Sequence, residues 1–355
     1  MSKPASLRGA LLAAALAFGI LGLPGAFGLE AKEGLVKIVI NESTARLSVY
    51  RLVDVAKGRY EALVFDQDPR TSFATLSVDG KQYKLGDASD YRFTVSRTDT
   101  GARVEFRSAA CVLREDIDFA KSAGAALADG LRLSFTMENV SQKDAEIGLR
   151  LLVDTWLAEK SGLHFRTDKR ARVVSETAIG PADEDRWIAT PGDRAELMLA
   201  FAGDGVDRPD RILLANWKRL NDEPWAFDVN VARNFTLLPY SVNDSALALY
   251  WDPVLVPRGG SRKAVTVLGA FNEKGYPPEA SAGAVDPATS AIFSQTVLSA
   301  ESAGSEAAMV SDLVAVRDLV SRIDRALSSG KPPSEEELVA WKKILDLLEE
   351  RKKGY

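Results

Sequence analysis

The chain has 355 residues, with 45 Lys and Arg against 50 Asp and Glu, so its formal net charge is −5 at pH 7. This mildly acidic balance, without a block of basic residues interleaved with aromatics, argues against a nucleic-acid-binding protein. Cys111 is the only cysteine, which excludes an intramolecular disulfide. Its apolar surroundings predict a buried, unreactive thiol.

The first 28 residues have the three parts of a cleavable secretory signal peptide. Lys3 and Arg8 give a basic start, residues 9–23 are apolar and uncharged, and small residues at −3 and −1 favour a cut before Leu29. The apolar stretch is shorter than the ~20 residues of a membrane-spanning helix, so an uncleaved anchor is the less favoured alternative. We expect an exported protein, periplasmic or extracellular, with no membrane span after cleavage.

From residue 34 to about residue 271, apolar and polar residues alternate with period two, which predicts strands. Leu131, Leu133, Phe135 and Met137 are one such set, and Asp79-Gly80 between two alternating segments predicts a tight hairpin. Few helical patterns interrupt these strands. The pattern therefore predicts a mainly β domain over residues 29–271, built as a large antiparallel two-sheet β-sandwich.

The composition changes after residue 271. Residues 272–307 begin with a segment rich in Gly, Ala, Ser and Pro, which predicts a linker or an extended strap over the surface. We expect this segment to separate the sandwich from a third region with helical periodicity.

Residues 308–355 have the three-four spacing of amphipathic helices, which predicts a C-terminal α-helical hairpin. Ser334 with Glu337 predicts a capping box at the start of the second helix. Two interpretations are open: the hairpin folds back on the sandwich, or it docks another protein. The two apolar stripes, which we expect to face each other, are Leu313, Val316, Val320, Ile323 and Leu327 in the first helix and Leu338, Trp341, Leu345 and Leu348 in the second.

A single histidine, His164, limits the chemistry that the chain can perform. No Gly-x-Ser-x-Gly elbow accompanies it, and one His with one distant Cys is too few ligands for zinc. The sequence therefore predicts no metal site, no cofactor and no catalytic residue.

Several carboxylates stand close to tryptophans in the sequence, a mixture that carbohydrate sites use. Aromatic faces stack on sugar rings, while carboxylates bind hydroxyls or protonate a glycosidic oxygen. A competing interpretation makes Asp154 structural, as a buried group paired with Arg150. The ligand-binding candidates are Asp154, Trp156, Glu159, His164, Trp217, Asp222 and Trp225.

Two stretches carry a resemblance to a known group of proteins. Residues 133–165, LSFTMENVSQKDAEIGLRLLVDTWLAEKSGLHF, have a strand ending in an Asn turn, a second strand with an Arg and an Asp-Thr pair, and a Gly-x-x-Phe loop. Residues 244–259 are similar to the closing strands of the same group. The chain thus resembles uncharacterised exported bacterial β-sandwich proteins with galactose-mutarotase-like (supersandwich) architecture.

The resemblance implies a concave sheet face that can hold a glycan or a partner. It does not imply mutarotase activity, since the two histidines and the glutamate of that activity cannot come from a chain with one His.

We expect a non-catalytic envelope protein that binds or assembles through its β-sandwich and its C-terminal helices. The alternative is a carbohydrate-binding or carbohydrate-processing module; a purely structural envelope component is a third possibility. The partner would be an envelope protein or a glycan, and the oligomeric state is open. A glycan module predicts at least two Trp side chains exposed in one groove, whereas an assembly protein predicts an uncovered apolar stripe on the hairpin.

Overall fold

A computed structural model of the chain describes residues 28–55, 57–125, 127–237, 244–278, 285–300, 306–330 and 332–353. The predicted signal peptide lies outside these residues except for Gly28. Within the described ranges, no helix combines the length and the apolar character that crossing a membrane requires.

The chain begins with an antiparallel four-stranded sheet. Val36, Ile38 and Ile40 alternate with half-buried residues and are fully buried, as period two requires. The strands follow one another in sheet order: β1 (Gly28–Glu33), β2 (Val36–Asn41), β3 (Leu47–Asp54) and β4 (Arg59–Ala62).

The next seven strands build the middle of the sandwich. Asp79 and Gly80 both have positive φ and join β5 to β6, so the predicted tight hairpin is confirmed. The strands are β5 (Phe73–Val78), β6 (Lys81–Lys84), β7 (Arg92–Arg97), β8 (Gly101–Arg107), β9 (Cys111–Ala120), β10 (Gly130–Asn139) and β11 (Ala145–Thr155).

The sandwich is completed by seven further strands and one short helix. These elements are β12 (Arg166–Thr167), β13 (Thr177–Ile179), β14 (Trp187–Pro191), β15 (Glu196–Ala200), β16 (Arg211–Asn216), α1 (Trp217–Asp222), β17 (Ser245–Val256) and β18 (Ser261–Ala270).

Two large antiparallel sheets form the sandwich within the described residues. One has the order β12-β14-β15-β18-β10-β9-β8-β7, and the other has the order β13-β16-β17-β11-β5-β6. The alternating set from Leu131 to Met137 lies in the core. Cys111 is fully buried there too, and burial raises the pKa of its thiol to about 12. The predicted mainly β sandwich is confirmed, with the four-stranded sheet in addition.

Three helices follow the sandwich: α2 (Pro287–Ala300), α3 (Glu306–Ser329) and α4 (Glu335–Lys352). Helix α2 lies inside the segment predicted as a linker, where its high content of small residues hides it. Ala288 N donates to Asp286 Oδ1 at 2.8 Å, so Asp286 caps the helix and Pro287 follows at its start. An Asp before a Pro was the sequence signal for this helix.

The helices pack together and against the four-stranded sheet. Phe293 of α2, Leu319 of α3 and Ile344 of α4 share one apolar cluster with Leu52 of β3 and with Leu127. The C-terminal helices therefore fold back on the β region, but they pack on the four-stranded sheet rather than on the two large sheets of the sandwich.

Polar contacts fix the three helices to one another. Ser334 Oγ accepts from Glu337 N at 3.1 Å, as the predicted cap requires. The Glu337 carboxylate, however, turns to α2, where it accepts from Asp286 N at 3.0 Å and from the Thr289 hydroxyl. Glu337 thus satisfies the start of α2 rather than completing a capping box at Ser334.

Candidate functional site

Most of the apolar stripe of α3 is uncovered; its member Ile323 is half-buried and packs against the bundle. Leu313 is 65% exposed, Val320 49% and Leu327 76%. The face that α3 packs into the bundle is a different one, which includes Ala315 and Leu319. The two predicted stripes face each other only at one end, where Ile323 and Leu327 of α3 lie across a groove from α4. The N-terminal half of the α3 stripe is exposed instead, because α2 packs on the other face of α3.

An apolar groove continues the stripe. It lies between the C-terminal half of α3 and the N-terminal half of α4 and has a volume of about 670 Å³. Ile323 and Leu327 line one side, and Leu338 and Leu345, both exposed, line the other. We call the stripe and this groove the docking face; its members are Met309, Leu313, Val316, Val320, Ile323, Leu327, Leu338 and Leu345.

A second candidate site is a cluster of three carboxylates, Asp154, Glu159 and Asp244, which have oxygen atoms within 4.8 Å of one another. Strand pairing creates the cluster, since Thr155 at the end of β11 lies opposite Ser245 at the start of β17. The turn after β11 adds Glu159, whose Oε1 accepts from Ser245 N at 3.3 Å. We call these three residues the carboxylate cluster.

The cluster is electrostatically strained. Burial raises the pKa of Asp154 to about 7, and the negative charge of Asp244 acts in the same direction. Burial likewise raises the pKa of Glu159 to about 8, with a further contribution from Asp154. Near neutral pH a large fraction of the Asp154 and Glu159 carboxyl groups is therefore protonated.

Such a cluster suits two kinds of chemistry. A protonated carboxylic acid beside an ionised one can act as an acid toward a bound substrate. Three carboxylates are also the type of oxygen ligand that Ca²⁺ prefers. The prediction of no metal site did not anticipate this arrangement.

Two of the predicted tryptophans lie near the carboxylate cluster. Trp156 follows β11 directly and packs, half-buried, against the sandwich core. Trp217 Nε1 donates to the Thr71 carbonyl at 2.8 Å, and Asp154 N donates to the hydroxyl of the neighbouring Ser72 at 2.9 Å. The structure thus brings Asp154, Trp156, Glu159 and Trp217 into one neighbourhood.

The other three candidates have different surroundings. His164 is buried against Phe235, with ring centroids 4.7 Å apart, and burial lowers the pKa of its imidazole to about 4. Asp222 is exposed at the end of α1. Trp225 packs edge-to-face on Tyr250 at 5.7 Å, outside the six-stranded sheet.

None of the six tryptophans, all of which belong to the described part of the chain, is exposed. Trp187, Trp251 and Trp341 are buried, and the remaining three are half-buried. The criterion for a glycan module, two exposed Trp side chains in one groove, is not met.

Arg150 does not pair with Asp154 as the structural interpretation expected. Its side chain is fully buried, with Nε donating to the Tyr250 hydroxyl at 3.0 Å and Nη2 to the Leu220 carbonyl at 2.7 Å. Asp244 was missed as a member of the carboxylate cluster. No local pattern marks it, because its position depends on the pairing of β11 with β17.

No protein-family model matches the chain, and no curated protein matches it. Among solved structures it is similar to a galactose mutarotase related enzyme from Lactobacillus acidophilus, with 10% identity, a TM-score of 0.42, and coverage of 71% of this chain and 99% of that chain. It is also similar to a galactose mutarotase-like protein from Lactobacillus casei, with 12% identity, a TM-score of 0.39, and coverage of 69% and 100%.

A third similar structure is a TPR-domain containing protein from Parabacteroides distasonis, with 8% identity, a TM-score of 0.42, and coverage of 92% of this chain and 69% of that chain. Two of these three proteins have names that refer to galactose mutarotase. Similarity at this level carries no information about activity or ligand.

Proposed function

We propose that this protein is an exported, non-catalytic assembly protein of the cell envelope that docks a protein partner through its docking face. The exposed stripe of α3 carries the proposal. Six apolar residues recur at three-four spacing along one helix, and five of them are exposed. The sixth, Ile323, is half-buried against the bundle, into which the helix packs its other face. Exposed apolar surface of this extent is typical of an interaction site.

The packing of α3 supports a docking role energetically. An isolated amphipathic segment must first form a helix, and the loss of conformational entropy weakens its binding. Helix α3 is already fixed by Ala315, Leu319 and the Arg351–Asp312 ion pair. A preorganised helix loses little further entropy when a partner covers its stripe.

Export is supported by the signal-peptide pattern. A cut before Leu29 removes one residue of β1, Gly28, and leaves residues 29–33 paired with β2. The four-stranded sheet therefore keeps its edge after cleavage.

A pull-down tests the docking role. The tagged mature chain, residues 29–355, and a tagged Val316→Glu/Val320→Glu variant are each incubated with envelope extract. Captured proteins are identified by mass spectrometry, and untagged copies of this protein are counted among them. Buried carboxylates in the interface are costly, so we expect the wild-type partner to be lost from the variant.

The matched control is Val231→Glu, since Val231 is 75% exposed on a sandwich loop. The control should keep the partner. A partner that is captured equally by wild type and by the double variant would place the binding surface elsewhere and contradict the proposal.

The carboxylate cluster supports a second candidate function, the processing of carbohydrate. The raised pKa of Glu159 is the specific observation, because a glycosidic oxygen needs a carboxylic acid that keeps its proton near neutral pH. A glycan array with wild type and Glu159→Gln tests binding, and incubation of any bound glycan tests cleavage.

Asp222→Asn is the matched control, because it neutralises an exposed carboxyl on α1. Cleavage that is lost in Glu159→Gln and kept in Asp222→Asn supports this function. If the wild type binds no glycan on the array, carbohydrate processing is excluded as the function.

A further inference from the structure

We infer that the occupant of the docking face is a second copy of this chain, with the two α3 helices running antiparallel. The inference rests on the proposed function, because it names the partner of the same surface. It depends on three features of α3: the period of its apolar stripe, the charged residues on one side of the stripe and the burial of the residues on the opposite side.

The stripe has the period of a coiled-coil seam. Val316 and Ile323 take the d positions of consecutive heptads, while Leu313, Val320 and Leu327 take the a positions. A repeat of 3.5 residues keeps a seam directed at one partner helix, whereas a helix that packs only into its own domain needs no such repeat.

An antiparallel pair has a register that fills this seam. If a two-fold axis passes between residues 321 and 322, Val316 lies opposite Leu327 of the second copy and Val320 lies opposite its Ile323. Symmetry repeats both contacts, giving four a–d layers over residues 316–327. A two-fold interface of this kind is self-complementary and closed.

The charges next to the seam are self-complementary in the same register. Arg317 and Asp324 occupy successive e positions and are exposed. In antiparallel coils the e positions of the two helices face each other, so Arg317 lies near Asp324 of the second copy, twice. Within one copy Arg317 donates to its exposed neighbour Asp318, a contact of small energy that leaves the guanidinium able to turn.

A parallel arrangement does not use these charges. There each e position would face a g position of the partner helix. In α3 the g positions are Asp312, Leu319 and Ala326; Asp312 is buried with Arg351, and Leu319 is buried in the bundle. The g positions are thus packed inside one copy of the protein. The e positions, which carry the positive Arg317 and the negative Asp324, are the ones exposed to a second helix.

The seam is short, and this predicts a dimer that depends on protein concentration. Two heptads are too few to hold two isolated peptides together. Here both helices are already folded, and Leu338 and Leu345 add apolar surface at the edge of the seam.

Charge exchange tests the orientation. Sedimentation velocity over a concentration series is measured for the purified mature chain, for Arg317→Glu, for Asp324→Arg and for an equimolar mixture of the two. Each variant alone places like charges opposite each other twice, so we expect its dimer dissociation constant to rise about tenfold. The mixture restores both opposite-charge pairs and should form a heterodimer with the affinity of the wild type.

The outcomes separate the inference from the proposed function. If the wild type stays monomeric at every concentration, the inference that a second copy occupies the docking face is wrong. A partner that the Val316→Glu/Val320→Glu variant loses in the pull-down would still support the docking function. A wild-type dimer that neither charge variant weakens, or that the mixture does not restore, overturns the antiparallel register. A dimer that Val320→Glu leaves intact shows that this face is not the interface.

Discussion

Asp154, Glu159 and Asp244 are held closer together than three ionised carboxylates would remain in water. The cost falls on the ionised form, which is why the pKa of Asp154 and the pKa of Glu159 are both raised. The cluster therefore couples folding to pH. Glu115, buried in the sandwich with its pKa raised to about 7, acts in the same direction.

Stability should fall as the pH rises through the pKa values of the carboxylate cluster. The folded chain binds more protons than the unfolded chain between about pH 4, where unfolded carboxyls titrate, and about pH 8. Asp154→Asn removes one titrating group. Between pH 5 and pH 8 we expect the wild type to lose about 2 kcal/mol more of its free energy of unfolding than the variant does.

Urea unfolding at the two pH values measures this difference. Glu115 and His164 titrate in both proteins and cancel in the comparison. The exposed Asp222→Asn serves as the control and should follow the wild type. An Asp154→Asn protein with the same pH dependence as the wild type would show that Asp154 is ionised throughout.

The helices illustrate how one element can have two apolar faces with different tasks. In α3, Ala315 and Leu319 bind the bundle, and the stripe of Leu313, Val316 and Val320 is left uncovered. Between the covered faces, Asp312 of α3 and Arg351 of α4 form a buried ion pair. Arg351 Nη1 also donates to the Thr296 carbonyl of α2 at 2.7 Å. This pair connects all three helices.

Arg351→Met should loosen the bundle. It leaves the Asp312 carboxylate buried opposite an apolar side chain, at a cost of about 3 kcal/mol. Adding Asp312→Leu removes the uncompensated charge, so the double variant should recover most of that loss. Hydrogen exchange of the α4 amides, read by mass spectrometry, measures both changes locally.

A bundle that exchanges equally fast in the single and the double variant would contradict this account. It would mean that the contacts of Arg351 with α2, rather than its charge pairing with Asp312, hold the helices.

At the scale of the whole molecule, the three C-terminal helices cover one face of the four-stranded sheet. Leu52 of β3 and Leu127 are buried under the bundle, and Tyr60 of β4 packs at its edge. One face of the four-stranded sheet packs in the sandwich core through Val36, Ile38 and Ile40. The burial of its other face depends on residues more than 200 positions further along the chain.

Deletion of residues 285–355 should expose the four-stranded sheet while the sandwich stays folded. Each Leu uncovered removes about 2 kcal/mol of burial free energy. We expect a lower melting temperature, aggregation and binding of a dye specific for apolar surface. Val231→Glu, at a position that is 75% exposed and outside the docking face, should melt like the wild type. A truncated chain that melts like the wild type would show that the bundle does not stabilise the sheet.

The export that we propose depends on the N-terminus of the chain. Expressed in a bacterium with its own first 28 residues, the protein should be recovered from the envelope or medium fraction and begin at Leu29 by intact mass. Leu16→Arg places a charge in the apolar stretch and should leave an uncleaved chain in the cytoplasm. Full-length wild-type protein in the cytoplasm would contradict the prediction.

Much of the fold was predictable because its signals are local. Alternation around Phe135 marks a buried strand, Asp79-Gly80 marks a hairpin, and the spacing from Leu313 to Leu327 marks a helix with one apolar stripe. Helix α2 was missed because small residues weaken its amphipathic pattern. The four-stranded sheet was not distinguished from the sandwich, since period two does not say which strands pair.

The candidate site was less predictable. The sequence makes Asp154, Trp156 and Glu159 candidates because they are close in the chain, and they are close in space for the same reason. Asp244 joins them only through the register of β11 with β17. His164 is a candidate for its chemistry alone, and packing against Phe235 buries it.

By itself, the sequence determined the kinds of element, the hairpin at Asp79-Gly80, the exclusion of a disulfide and the stripe on α3. These features depend on residues that are neighbours in the chain or one or two helical turns apart. Tertiary structure decided which face of α3 is covered and which carboxylates meet. Both depend on surfaces tens or hundreds of residues apart, and burial there selects one packing among several that the local pattern allows.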